Sequence, residues 1–288
     1  MERGTERGTE TAVETVVETV TSADGTAIAV ERSGGGTPLV VVGGALCDRA
    51  RTRETAQGLA AHHAVLNYDR RGRGDSGDVG CGDGDAIARE VEDLAAVVAA
   101  AGAPAAVYGH SSGAALAMHA AVRGVPMTRL VLHDPPYGRD DDAQRAVARA
   151  YLDALRPALA QGGHDDAVAL FFELTGLPAE VIAGWRAEPW WPAVAAMAPT
   201  LRYEAEVLGY GDATGGAAPL DVVARVPVPT LVLAGGASPD FMLDTARAIV
   251  AALPDGRLRT LDGAGHAAPP EVLAPAVAAF LVPAIDGP

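Results

Sequence analysis

Residues 105–118 read AAVYGHSSGAALAM. An apolar and aromatic run climbs to Tyr108. Gly109 and Gly113 then bracket His110, Ser111 and Ser112, and an alanine-rich helix former follows. The glycines fall two positions either side of Ser111 and fit the pattern G-x-S-x-G. That spacing has a physical reason. A chain that turns from strand to helix in one sharp corner brings the two elements so close that side chains at the flanking positions would collide. The residue at the apex is held in a strained backbone conformation with its hydroxyl exposed, as a nucleophilic serine requires. The five-residue pattern alone is weak, and the bland alternative is a Gly-rich turn with buried serines. The strand before it and the helix after it make the sharp turn the expected reading. Ser111, not Ser112, is the expected nucleophile, because only Ser111 is centred between the glycines.

The rest of the chain supplies a setting for such a corner. Residues 18–33 read as two short strands around an Asp24-Gly25 turn. TPLVVVGGAL is a continuous apolar run ending in glycines, as expected of a strand buried on both faces. HAVLNYDRRGRGDSGD runs from a strand into a basic, Gly-rich loop. Ile87, Val91, Leu94 and Val98 recur at helical spacing before a stop at Gly102, and TRLVLHDPP is a strand ended by two prolines. Alternating strands and helices mean a mostly parallel sheet covered on both faces. The rhythm breaks over 137–220, where helical patterns dominate, and resumes with PTLVLAGG. The expected organisation is an α/β core over 15–136 and 221–288, a helical cap over 137–220 inserted after the sixth strand, and a disordered polar lead over 1–14.

Composition narrows the chemistry. A formal net charge of −15 argues against a nucleic-acid partner, which needs a basic footprint. All 22 basic side chains are arginine, so neither a Schiff-base lysine nor a phosphate-loop lysine exists. Cys47 and Cys81 make no disulfide framework and lie at no metal-ligand spacing, so neither metal nor cofactor is expected. Cys47 reads as a small buried hydrophobe. RGRGDSG (71–77) contains a formal G-x-G-x-x-G, but no apolar helix opens at Gly77 and no acid ends a strand beyond it. A polar loop fixed by Asp69, Arg70 and Asp75 is the better reading. The N-terminus has no apolar signal core and no apolar run is long enough to span a membrane. The expectation is a soluble cytoplasmic protein acting on a small molecule, with no membrane partner and an oligomeric state left open.

With these motifs in view the chain resembles the α/β-hydrolase superfamily over residues 18–282: NYDRRGRGDSGD looks like the loop after the fourth strand of cap-bearing members, and LDGAGHAAPPE like the segment that presents the histidine. The resemblance implies that fold, with a mostly parallel central sheet, and a serine hydrolase acting on an ester, lactone or related acyl bond. It implies Ser111 as nucleophile and His266 as general base, in the family's order. It implies an oxyanion hole from the Ser112 amide and from the loop after LVVVGG. There the family's common His-Gly-x reads Gly43-Gly44-Ala45, so Ala45 is the expected donor and Leu46 the fallback. His110 neighbours the nucleophile, and the turn should point it away from the reaction. His110, Leu46, Trp190 and Trp191 are the pocket candidates, the two tryptophans weighed equally as packing for the cap. His119 reads as a packing residue and His133 is undecided.

The third triad member is the departure. The family places an acid just after the seventh strand, where LAGGASPDF has Ser238. Two carboxylates could replace it. Asp134 ends the sixth strand, and neighbouring strands lie about 4.8 Å apart, so it could reach the same histidine. Asp240 lies beyond the Pro239 turn, where a helix-capping role suffices. Asp134 is the expected acid and Asp240 the second choice. An incomplete triad would instead favour a non-hydrolytic ligand-binding protein or cyclase, and carbon–carbon bond hydrolysis also uses serine on this fold.

Overall fold

The computed structural model describes residues 15–82 and 84–282, so the polar lead 1–14 lies outside the described residues. Its strands are β1 (Thr15–Thr21), β2 (Ala27–Gly34), β3 (Pro38–Val42), β4 (Ala64–Tyr68), β5 (Ala105–His110), β6 (Met127–His133), β7 (Thr230–Gly235) and β8 (Gly256–Leu261). They form one sheet in the order β1-β2-β4-β3-β5-β6-β7-β8. The β1–β2 and β2–β4 pairs are antiparallel and all others parallel.

Helices α1 (Arg49–Ala60), α2 (Ala86–Ala100) and α3 (Ser112–Val122) connect the first strands. Between β6 and β7 the chain runs through α4 (Asp142–Ala160), α5 (His164–Leu174), α6 (Ala179–Trp185), α7 (Trp191–Ala196), α8 (Leu201–Val207) and the short α9 (Leu220–Val223). Helices α10 (Asp240–Ala252) and α11 (Pro270–Leu281) complete the core. Helix α1 was not evident in the sequence. It buries only Ala56, Leu59 and Ala60, too short an apolar stripe to show a helical period.

Alternation along each strand feeds two apolar layers. Val40 and Val42 of β3 join Val107 of β5, helices α2 and α3 and residues of the inserted helices in one cluster. Leu39 and Val41 of the same strand join Tyr108, α1 and α11 on the opposite face. Helix α3 is buried on all sides from Ser112 to Ala121, which is why its sequence is apolar all round. The ends of β5, β6 and β7, the β3–α1 loop and the segment after β8 therefore meet at the carboxyl edge of the sheet. Order reverses between β3 and β5 there, the place where open α/β sheets bind ligands.

Candidate active site

The corner between β5 and α3 is the sharp turn that the glycine spacing predicts. Ser111 sits at φ 56°, ψ −128°, a conformation costly for any residue with a Cβ. Its amide donates to the His133 carbonyl at 2.9 Å, and its carbonyl accepts from Ala114 N–H at 2.9 Å. A Cβ on Gly109 would lie 2.4 Å from the Gly113 carbonyl oxygen, and one on Gly113 would lie 2.4 Å from that of Val42. Backbone thus fills the space on both sides of the serine, and only glycine fits.

Asp134 follows β6 directly, at φ 45°. Its Oδ2 lies 3.4 Å from His266 Nδ1. Two donors fix the carboxylate from the end of β7 and the turn after it: Gly235 N–H reaches Oδ1 at 3.0 Å and Ser238 Oγ–H reaches Oδ2 at 3.0 Å. Burial pushes the carboxyl up, but His266, the Gly235 amide and the other donors outweigh it and hold it below the usual carboxylate range. The pair is asymmetric in exposure. The His266 side chain is 44% accessible and that of Asp134 is 1%, so the acid anchors a ring that faces outward. Asp240, the alternative acid, is exposed in the first turn of α10, where Pro239 is the capping residue. Its charge there suits the helix dipole. The serine at the family's acid position thus bonds the carboxylate of the neighbouring strand.

The β3–α1 loop closes against the serine. A Cβ on Gly44 would lie 3.0 Å from Ser111 Cβ. The next residues are Ala45, half-buried, and Leu46, buried and at φ 52°. Among the described residues the Ala45, Leu46 and Ser112 amides have no protein acceptor.

A model of the alpha/beta hydrolase family matches residues 13–279. The chain belongs to the alpha/beta hydrolase family. It is similar to the solved structure of an alpha/beta hydrolase from Sphaerobacter thermophilus, at 43% identity and a TM-score of 0.82 over 91% of this chain and 99% of that one. A hydrolase from Pseudomonas aeruginosa is 25% identical with a TM-score of 0.65, over 92% of this chain and 98% of that one. An esterase from a Rhodococcus species shares the fold at 20% identity and a TM-score of 0.61, over 92% of this chain and 98% of that one. No curated protein sequence matches the chain.

On this alpha/beta hydrolase core, His110 is engaged with the histidine segment itself. Its Nε2 lies 2.7 Å from the His266 carbonyl oxygen, an acceptor only, so Nε2 carries the proton. The His110 ring packs against those of His266 and His133, each with centroids 4.8 Å away and the planes tilted by 40° and 43°. His133 is buried and its Nδ1 meets the Tyr108 hydroxyl at 2.7 Å. The segment is also bedded on the end of β7, where Ala237 N–H donates to Ala264 O at 2.8 Å. The contact between His110 and His133 depends on the register of β5 against β6, which no signal in either segment alone records.

Burial holds these imidazoles neutral. Chiefly through desolvation, His110 is lowered from 6.5 to about 4 and His133 to about 3. His119, which packs α3 against the end of α8 through the Val207 carbonyl, is lowered to about 4. The unfolded chain takes up these protons near pH 6.5, whereas the native state refuses them until lower pH. Stability is therefore expected to fall as pH drops from about 6.5 toward 4, by up to about 1.4 kcal/mol per pH unit per imidazole. Urea midpoints at pH 7, 6 and 5 measure this, and a constant midpoint would contradict it.

The two tryptophans divide the roles that the sequence left balanced. Trp191 is 3% exposed, donates Nε1–H to Asp165 at 2.6 Å and packs against Phe172. Trp190 is half-buried, with Trp185 on one side and the Arg51 guanidinium 5.7 Å from its ring centroid. Arg51 belongs to α1, directly after the β3–α1 loop, so Trp190 faces the core near that loop. Trp191→Ala is expected to cost about 3–5 kcal/mol of stability, as for other buried aromatics. Trp190→Ala should cost far less. Thermal denaturation of the two variants checks the order, and equal losses would refute it.

Proposed function

We propose that this protein is a serine hydrolase that cleaves an ester, lactone or related acyl bond of a small hydrophobic substrate through an acyl-enzyme. One observation carries the reading: a strained, half-buried serine at a strand-to-helix corner shares the sheet edge with a histidine held by a buried carboxylate. Ser111 Oγ adds to the substrate carbonyl while His266 takes its proton. Asp134 keeps Nδ1 protonated and stabilises the imidazolium that forms. The tetrahedral oxyanion takes hydrogen bonds from the Ser112 amide and from Ala45, with Leu46 beside it, none of which has a protein acceptor among the described residues. His266 passes its proton to the leaving alkoxide, and water deprotonated by the same ring then releases the acid. In this reading 137–220 forms a cap, and Leu46 and Trp190 supply apolar pocket wall, with Trp191 packed behind. A cytoplasmic location accords with Cys47 and Cys81 both being free thiols.

Covalent labelling tests the reading. A fluorophosphonate should modify the wild-type protein once, on a tryptic peptide containing Ser111, and boiling before exposure should prevent it. A folded protein that stays unlabelled, or that is labelled only elsewhere, would remove the serine-nucleophile reading.

A further inference from the structure

The basic loop after β4 holds an ion cluster that the proposed mechanism does not use. Arg70 and Arg73 are 1% and 0% exposed. Two carboxylates from separate elements neutralise them: Glu90 of α2 and Glu204 of α8, both buried. Arg70 donates to Glu90 through Nε at 2.5 Å and Nη2 at 2.9 Å. Its Nη1 donates to Glu204 Oε1 at 2.9 Å and to the Gly43 carbonyl at 3.2 Å, and lies 3.5 Å from Ser112 Oγ. Arg73 also donates to Glu204 Oε1.

Stability alone does not account for this arrangement, because buried ion pairs are commonly no better than apolar residues of similar size. What the cluster does hold is position. Gly43 begins the loop that carries the Ala45 and Leu46 amides, and Ser112 supplies the other amide. One guanidinium therefore touches both sides of the oxyanion-binding geometry. Its planar fork is oriented by one acid from the core and one from the inserted helices. Helix α8 is fastened at the same place. Tyr203 Oη–H donates to Asp78 at 2.7 Å, and Glu206 accepts the Gly84 and Ala86 amides at 3.1 and 3.0 Å.

We propose that Arg70 is a positioning residue for the oxyanion loop and that Glu204 sets its orientation, so that docking of α8 on the core assembles the oxyanion-binding geometry. The proposal rests on Ser111 acting as the nucleophile. Small displacements matter at such a site, since donors must meet an oxygen that forms only in the transition state.

The test is the charge-balanced double variant Arg70→Met/Glu204→Met, which removes one cation and one anion together. Arg70→Lys keeps the charge but cannot span Glu90, Glu204 and Gly43 at once. Four quantities are read: kcat, KM, melting temperature and affinity for a trifluoromethyl ketone, which captures the serine as a hemiketal oxyanion. The expected result is a parallel loss of kcat and ketone affinity of roughly 10- to 100-fold. KM should stay within about threefold, the mark of an interaction made only in the transition state. A folded double variant with wild-type kcat and ketone affinity would overturn the proposal, as would a loss confined to KM. Failure of both Arg70 variants to fold would mark the cluster as structural and overturn it too. If the wild type neither takes up the fluorophosphonate nor binds the ketone, the nucleophile reading itself falls, and this proposal with it.

Discussion

Ser111→Ala should remove nearly all ester turnover, leaving a residual rate on the order of 10³-fold over the uncatalysed reaction. The remainder comes from the amides and from substrate binding, which the substitution leaves in place. The loss is large because the neighbouring hydroxyl cannot take over. Ser112, one residue on, is buried in the first turn of α3 with its Oγ toward Arg70. Alanine keeps a Cβ at φ 56°, so the backbone strain stays the same and the fold should not change. Steady-state hydrolysis of short and long acyl esters, read beside melting temperature and fluorophosphonate uptake, measures the effect. Wild-type turnover or wild-type labelling in the variant would show that the nucleophile lies elsewhere.

Asp134→Asn should lower kcat by up to about 10⁴-fold with the protein still folded. Asparagine fits the same space, but its uncharged amide cannot stabilise an imidazolium. An NH2 directed at His266 would also favour the wrong ring tautomer. Asp134 now accepts from Gly235 N–H and from Ser238 Oγ–H and lies 3.4 Å from His266 Nδ1, and an amide oxygen can satisfy only part of that demand. Asp240→Asn should change kcat little, because that side chain stands exposed in the first turn of α10. The two variants assayed together decide the acid. The reverse ranking would transfer the role to Asp240, and wild-type rates in both would show that turnover depends on neither carboxylate.

Ser238→Ala separates two explanations for the serine at the acid position. If its hydroxyl only fills space, kcat should not move. If it helps hold the Asp134 carboxylate ionised and in place, kcat should fall by roughly 3- to 10-fold, the value of one hydrogen bond to a charged group.

The features legible in the chain were those that leave a pattern within one short segment. The glycine two residues before Ser111 is demanded by backbone across the same turn, the one two residues after by the backbone at the end of β3, and the apolar run of β3 by burial on both faces. The interruption between β6 and β7 shows as a change from strand-helix alternation to helical patterns alone, and the family resemblance could be read from the same motifs. Contacts between segments distant in sequence behave differently. That Asp134, not Asp240, faces His266 depends on the register of β6 against β7, where Asp134 N–H meets Leu233 O at 2.9 Å. The ring contacts of His110 with His133 and His266 depend on β5 lying beside β6 and on where the β8–α11 segment folds back. The joining of Arg70 to Glu204 spans 134 positions. Glu204 on its own reads as one more charge on a helix, and only folding shows that it faces inward. Periodicity and glycine spacing record the cost of local crowding, which each stretch of chain carries in itself. A buried ion pair or a ring contact is decided by which distant side chains the sheet order brings together, and that information belongs to no single segment.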